Sequence, residues 1–192
     1  LNNCIVLDEN DIGITELDVK NNELEVYDTE EEVLCNWANL IQREDPDIII
    51  GYNIFGFDYS FMFKRAIETG CVKEFLKLSR VKDEVCCDTD RMGTLKLKEM
   101  KVILASGDYD LQYVNMTGRL QIDLLIYMRK DSGFSFTSFK LDSVAGELIS
   151  DKVSKTEIID NKTLIYTKNQ KGLEKHSFVT FDIINHTNEP YN

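Results

Sequence analysis

The segment Tyr52–Asp58 holds an amide, several aromatic rings and a carboxylate close together in the sequence. The side chain of Asn53 has both a donor and an acceptor, which suits a phosphate, a sugar or a base edge. Phe55 and Phe57 are able to stack against an unpaired base, a contact worth about 1–3 kcal/mol per base. Asp58 can direct its carboxylate into a cleft. Taken alone, this short pattern favours a plainer interpretation, in which Asp58 caps a helix and the aromatic rings belong to the core.

The flanking residues predict the elements that would position this segment. Ile48–Ile50 is β-branched throughout and is bounded by turn residues, so it predicts a buried strand. Gly51–Gly56 then predicts a loop, and Phe57–Thr69 predicts a helix. In open α/β sheets, ligands bind at the carboxyl ends of the strands. The segment therefore lies where a ligand site is expected.

The rest of the chain predicts an α/β fold followed by a small β module. An apolar stripe predicts a helix over residues 29–44, which Asp28 or Thr29 can cap and whose first turn is rich in glutamate. Further helices are expected near residues 72–78 and 138–149, and a helix or a bent continuation of the preceding strand near residues 123–129. Strands are expected near residues 5–7, 14–17, 24–27, 94–97, 110–115 and 119–122. After residue 152, the alternating runs 163–167 and 177–181 predict the β module.

The composition restricts the classes of protein to which the chain can belong. Its 34 acidic and 22 basic residues give a net charge of −12, which argues against a free-standing binder of duplex DNA. Its five cysteines lack a C-x-x-C pattern and only two histidines accompany them, so we expect reduced thiols and no zinc site. No apolar run approaches the roughly 20 residues that span a bilayer, so we expect no membrane partner. Neither end looks natural, and we interpret the chain as a piece of a longer protein.

The segment Asp45–Asp58, which reads DPDIIIGYNIFGFD, closely resembles the second exonuclease motif of family B DNA polymerases. Residues on both sides extend the resemblance. Residues 27–41 resemble the helix that precedes the motif, Gly118–Leu125 the strand that follows it, and Phe139–Ala145 the next helix. These elements occur in the order and spacing of the family, and delta-type polymerases are the most similar. Residues Ile165–Leu173 resemble an insertion in polymerases of large DNA viruses of eukaryotes.

The resemblance implies a fold and a chemistry. The fold would be a ribonuclease H-like exonuclease fold, a mixed sheet with flanking helices, incomplete over residues 1–150 and followed by a small β-rich insertion over residues 151–192. The chemistry would be removal of a mispaired 3′ nucleotide with two divalent ions, Mg²⁺ or Mn²⁺, which prefer carboxylate oxygens. Asp58 would be a catalytic residue and a metal ligand. The frayed single strand would contact Asn53, Phe57, Tyr52, Phe55 and Arg119.

The resemblance also implies partners and leaves two residue roles open. The expected partners are a DNA primer–template with its single-stranded 3′ end, the rest of the polymerase chain and a sliding clamp. The expected location is the host nucleus or a cytoplasmic site of viral replication. Arg119 is equally suited to neutralise a phosphate or to pair with a carboxylate. Asp123 lies near the cleft edge of the family pattern, where a structural role is the alternative.

Two other patterns look like the remaining motifs of the family but occur in the wrong places. The first motif, D-x-E, lies on a strand, whereas Asp28-Thr29-Glu30 directly precedes the predicted helix. We therefore assign these residues to helix capping and first-turn charge. The third motif, Y-x-x-x-D, should follow the helix near Phe139, yet Tyr127–Asp131 precedes it. We expect the chain to start after the first motif and to stop before the third, so that alone it binds metal poorly and cleaves nothing.

Three hypotheses follow for function. The chain is a fragment of a replicative family B DNA polymerase, a free-standing 3′→5′ exonuclease of the same fold, or a non-catalytic nucleic-acid-binding or structural module. Complete D-x-E and Y-x-x-x-D motifs without downstream polymerase motifs would support the second. Replacement of those carboxylates in the complete reading frame would support the third.

Overall fold

The computed structural model describes residues 2–8, 22–105, 107–131, 133–170, 173–184 and 188–190. The chain divides into two units, residues 1–135 and residues 136–192. The first unit contains, in order, β1 (Asn2–Leu7), β2 (Asn22–Tyr27), α1 (Glu30–Glu44), β3 (Ile48–Gly51), a π-helical turn (Ile54–Asp58), α2 (Tyr59–Glu68), α3 (Val72–Phe75), β4 (Asp88–Thr89), β5 (Leu95–Lys96), β6 (Lys98–Leu104), β7 (Gly107–Tyr113), β8 (Leu120–Asp123) and α4 (Leu124–Lys130). The second unit contains α5 (Leu141–Ile149), β9 (Lys155–Ile159), β10 (Lys162–Tyr166), β11 (Asp182–Ile184) and β12 (Asn188–Pro190).

Two parallel strand pairs give the first unit its α/β character. β1 pairs with β2, and β3 pairs with β8 so that Gly51 lies opposite Asp123. The pairs β4–β5 and β6–β7 are antiparallel. Within the described ranges, every strand belongs to a two-stranded pair. The architecture is therefore mixed α/β, as predicted.

Helix α1 begins where its capping residues predict. The Glu32 N–H donates to the Thr29 hydroxyl at 3.3 Å, and the Thr29 N–H donates to the Glu32 carboxylate at 3.2 Å, which together form a capping box. The helix ends at Asp45, whose left-handed φ of 44° breaks the helical path. The helix predicted over residues 29–44 is confirmed, and Thr29 rather than Asp28 is its cap.

The core of the first unit fixes helix α2 and hence the segment that precedes it. Helices α1, α2 and α3 contact one another, and α2 also contacts β7. Trp37 of α1 stacks on Phe75 of α3 with ring centroids 5.6 Å apart. The largest fully buried side chains are Tyr59, Phe75, Leu76, Leu78 and Val114. Rigid support for α2 therefore comes from packing rather than from helix propensity.

The strand β3 forms as predicted, but its predicted burial is wrong. Ile48 and Ile50 are about half exposed, whereas Ile49 packs against the core. Leu120, the partner of Ile48 in β8, is also exposed. Because successive side chains of a strand point to opposite faces, only one face of this two-stranded pair is covered. The other face is apolar and open.

Other predicted elements of the first unit vary in accuracy. The strands near residues 5–7, 24–27, 94–97, 110–115 and 119–122 and the helix over 123–129 are confirmed, with shifts of a few residues at their ends. The helix expected over 72–78 is only the short α3, and the sequence does not predict β6. The strand expected over 14–17 lies outside the described residues. Among the described residues, no helix is long and apolar enough to cross a membrane.

Within its described residues, the second unit contains one helix and two antiparallel strand pairs. Helix α5 confirms the helix predicted over residues 138–149, and β9 and β10 pair in antiparallel fashion, which confirms the strand at 163–167. The strand predicted over 177–181 is wrong. These residues have no regular structure and Phe178 is fully exposed, so the alternating pattern there has no partner strand in the described part of the chain. The hairpin forms instead between β11 and β12.

Candidate functional site

The candidate site lies after the carboxyl end of β3, beside the carboxyl end of its parallel partner β8. The chain leaves β3 at Gly51 and turns at Asn53, which has a left-handed φ of 61°. Asparagine tolerates this conformation better than most residues. The Asn53 carbonyl then accepts the N–H groups of Gly56 at 3.1 Å and Phe57 at 3.0 Å, which starts the π-helical turn Ile54–Asp58. Single π-helical turns are frequent at functional sites.

The side chain of Asp58 is half-buried. Asp58 precedes α2 in helical geometry, with φ −61° and ψ −48°, and its carboxylate makes no capping hydrogen bond. Within the described part of the chain, no residue donates a hydrogen bond to this carboxylate or pairs with it. The interpretation of Asp58 as a helix cap is therefore wrong. The carboxylate keeps its full capacity to accept bonds from a ligand.

The aromatic residues of the segment divide into an exposed pair and a packed one. Phe57 is 57% exposed and stacks on Phe61 of α2, which is 51% exposed, with centroids 5.7 Å apart. Phe55 instead packs against Tyr59 at 6.1 Å and Tyr113 at 5.8 Å. Among the described rings of this turn and of α2, Phe57 and Phe61 are the exposed ones, while Phe55 anchors the segment to the core.

Asp123 ties the segment to the end of β8. Its Oδ1 accepts the N–H groups of Asn53 and Leu125, each at 2.9 Å. Its Oδ2 accepts the N–H of Phe55, also at 2.9 Å. The carboxylate is buried, with 4% of the residue exposed. Of the two roles open for Asp123, the geometry therefore favours the structural one.

The phenol of Tyr52 is influenced by a cation, Arg129, to which the sequence analysis gives no role. The Tyr52 ring is partly buried, and burial raises the pKa of its phenol. The positive charge of Arg129 in α4 opposes this rise in the pKa of Tyr52. Arg129 itself contacts Tyr109: its guanidinium carbon lies 5.2 Å from the centroid of the Tyr109 ring, and the guanidinium donates a hydrogen bond to the Tyr109 hydroxyl. The only local signal for Arg129 is its place on the helix after β8. Tyr109 lies on β7, and the sequence does not predict β6, the strand with which β7 pairs.

Arg119 does not lie at the candidate site. Its side chain is only 1% exposed and forms an ion pair with Asp45 at 2.8 Å. The guanidinium also donates to the carbonyls of Leu78 at 2.9 Å and Pro46 at 2.7 Å. The prediction that Arg119 contacts DNA is therefore wrong, and its alternative, pairing with a carboxylate, is confirmed. Burial and the ion pair with Asp45 leave no room for a phosphate.

The described residues do not by themselves make a site for a divalent ion. Over these residues, no group of three or more histidine, cysteine, aspartate or glutamate side chains is close enough to hold a metal. Glu30 pairs with Arg65, which lowers the pKa of Glu30. Asp131 accepts the Gly133 N–H at 2.8 Å. These two carboxylates thus have structural partners, whereas Asp58 has none among the described residues.

These features define a mixed α/β unit with a candidate ligand site at the carboxyl edge of a parallel strand pair. Residues 1–144 match the model of the DNA polymerase family B exonuclease domain. The chain is 42% identical over 166 residues to the DNA polymerase of Phaeocystis pouchetii virus, covering 85% of this chain and 16% of that protein. It is 35% identical over 126 residues to the DNA polymerase delta catalytic subunit of Arabidopsis thaliana, covering 66% of this chain and 10% of that protein. The chain therefore belongs to DNA polymerase family B and carries part of its exonuclease domain.

A second viral relative extends this comparison. The DNA polymerase of Pyramimonas orientalis virus is 38% identical over 152 residues, covering 79% of this chain and 11% of that protein. The chain thus spans about a sixth or less of the length of the curated relatives it matches.

Proposed function

We propose that the chain is part of a DNA-directed DNA polymerase that acts in DNA replication, and that it forms part of the site that removes a mispaired 3′ nucleotide by phosphodiester hydrolysis. The observation that carries the proposal is the unengaged carboxylate of Asp58 beside the exposed ring of Phe57. The carboxylate suits a hard divalent cation, and the ring suits an unpaired base. Both lie in the part of the chain that matches the family model.

The proposed domain has a ribonuclease H-like fold that other parts of the polymerase complete. The open apolar face of the β3–β8 pair, with Ile48, Ile50 and Leu120 exposed, supports this because such a face is normally covered. Residues 151–192 would form a β-rich insertion. We propose that Mg²⁺ or Mn²⁺ binds with Asp58 as one ligand and with the other carboxylates supplied from beyond this chain.

Fewer residues are proposed to contact the single-stranded 3′ end than the sequence alone predicts. Asn53 and Phe57 are the primary contacts, since both follow β3 directly and Phe57 is exposed. Tyr52, which is partly buried, and Phe55, which packs against the core, would hold these two residues in place. The proposed partners are the DNA primer–template, the rest of the polymerase and a sliding clamp. Replication in the host nucleus or at a cytoplasmic viral site is consistent with viral and plant relatives.

The test uses the complete polymerase, expressed from its full reading frame, with Asp58→Asn. Excision of a mismatched 3′ nucleotide should fall by on the order of 100-fold or more, because a metal ligand is lost. Extension of a matched primer should be unchanged, which shows that the protein is folded. Asp28→Asn is the matched control, since Asp28 is exposed and belongs to the misplaced D-x-E pattern. Equal excision by the Asp58→Asn variant and the wild type would refute the proposal.

A second candidate function is a non-catalytic module that binds single strands. The shortage of carboxylates within the described ranges favours it. In that case the wild-type polymerase would not excise a mismatch, whereas Phe57→Ala would still weaken binding of a single-stranded oligonucleotide.

A further inference from the structure

We propose that Asp123 is a positioning residue for the exonuclease site. Its buried carboxylate would fix the backbone from which Asn53, Phe57 and Asp58 project. This inference rests on the proposed function for its effect on excision. The anchoring itself rests on the geometry alone.

The anchoring contacts join segments that are far apart in the sequence. Asp123 lies at the last position of β8, directly opposite Gly51, the last residue of β3. From there its two oxygens receive the Asn53 and Phe55 N–H groups, each at 2.9 Å. The same carboxylate caps α4 by accepting the Leu125 N–H at 2.9 Å. One side chain thus holds the segment after β3 and the helix after β8 in a fixed relation.

The chemistry of these contacts requires a carboxylate. Three backbone donors converge on two oxygens, and hydrogen bonds to an ionised acceptor are roughly twice as strong as neutral ones. An asparagine at this position would offer one oxygen and turn an amide N–H towards a backbone N–H. A buried donor left without an acceptor costs free energy, so the segment would shift to recover a partner. A displacement of about 1 Å at a catalytic group is able to reduce a rate by about 100-fold.

The turn that Asp123 holds contains an uncommon backbone conformation. Asn53 holds a left-handed conformation that is uncommon for residues other than glycine. Its Oδ1 lies close to Gly56, since a Cβ built on Gly56 would approach that atom to 2.3 Å. Both features fix the direction in which Asn53 and Phe57 project. Asp123 acts on the amide groups of this turn and does not contact the substrate.

The test compares Asp123→Asn with Asp131→Asn in the complete polymerase. Asp131 is the matched control because its carboxylate also accepts a backbone N–H, that of Gly133 at 2.8 Å, but in an exposed turn. Hydrogen–deuterium exchange should accelerate at the Asn53 and Phe55 amides in Asp123→Asn and should be unchanged over the β6–β7 hairpin. The kcat for mismatch excision should fall about 10- to 100-fold, with a smaller change in KM for the single strand. Extension of a matched primer should be unaffected.

The possible outcomes distinguish failure of the anchoring role of Asp123 from failure of the proposed function. Equal amide exchange and equal excision in the two variants would overturn the role of Asp123. Fast exchange of the Asn53 and Phe55 amides in the wild-type protein would also overturn it, and this measurement needs no folded variant. If the wild-type polymerase does not excise while Asp123→Asn still exposes these amides, the proposed function fails and the anchoring role stands.

Discussion

At the scale of single residues, Asp58 and Asp123 show that position at a sheet edge does not decide the role of a carboxylate. Both follow or end a strand of the same parallel pair. Both oxygens of Asp123 are engaged by backbone N–H groups, so it has little capacity left for a cation. Asp58 has no such partner among the described residues. The difference in partners, rather than in residue type, assigns Asp123 to the fold and leaves Asp58 available for the proposed metal ion.

Tyr59, the residue after Asp58, carries a polar atom that the core does not satisfy. The residue is 2% exposed, and within the described ranges its hydroxyl has no hydrogen-bond partner. Burial raises the pKa of this phenol, and the charges of Asp58 and Asp123 add to the effect. We expect Tyr59→Phe to raise the free energy of unfolding by about 1 kcal/mol, because a buried polar group without a partner is removed.

Chemical denaturation of the chain measures this effect. Tyr27→Phe is the control, since the Tyr27 hydroxyl donates to Glu25 at 2.8 Å and its loss should be neutral or slightly destabilising. A larger loss of stability from Tyr59→Phe than from Tyr27→Phe would show that the Tyr59 hydroxyl has a partner in solution.

At the scale of elements, an ion-pair network holds the turn between α1 and β3. The Asp45 carboxylate accepts hydrogen bonds from Arg119 and Arg80, each at 2.8 Å, and both arginines lower the pKa of Asp45. Arg119 is enclosed, whereas the Arg80 side chain is about one third exposed. We expect Arg119→Met to reduce the free energy of unfolding by about 2–3 kcal/mol, because the carbonyls of Leu78 and Pro46 lose their donor inside the fold.

The matched control for this network is Arg80→Met, which removes a more exposed partner of the same carboxylate. Its effect should be clearly smaller, because exposed ion pairs contribute little. Urea unfolding followed by fluorescence of Trp37 gives both values, and the denaturant slope should be the same for the two variants. Equal losses of stability in the two variants would mean that burial of Arg119 does not increase its contribution to the free energy of unfolding.

The elements that follow from local pattern are those that the sequence predicts well. Helix α1 has a single apolar stripe and a capping box, and β3 is β-branched and flanked by turns. The π-helical turn and β6 have no such local signal. The decisive site contacts are also non-local, since Asp123 and Asn53 are separated by 70 residues and Arg119 and Asp45 by 74. The sequence therefore predicts that Asn53, Phe57 and Asp58 follow β3, but it does not predict the burial of Arg119, which depends on residues far away in the sequence.

At the scale of the whole molecule, net charge and aromatic stacking have opposite effects on the affinity of the chain for DNA. The net charge of −12 repels a phosphate backbone, so the isolated chain cannot gain affinity by releasing counterions. Stacking on Phe57 and Phe61 does not depend on that charge. The chain alone should therefore recognise bases and reject the backbone that carries them.

This opposition predicts how the isolated chain binds single strands. A thymidine oligonucleotide with uncharged methylphosphonate linkages should bind more tightly than the same oligonucleotide with phosphodiester linkages. Raising the salt from about 50 mM to about 200 mM should leave the phosphodiester affinity unchanged or increase it, whereas a protein that contacts phosphates loses affinity over this range.

Phe57→Ala should weaken binding of both oligonucleotides by about 1–3 kcal/mol, since the stacking surface is lost. Phe178→Ala, at a fully exposed aromatic residue of the second unit, is the control and should change neither. Fluorescence anisotropy measures all of these affinities, and tighter binding of the phosphodiester strand with a steep loss on added salt would show that the chain carries a phosphate-binding surface of its own.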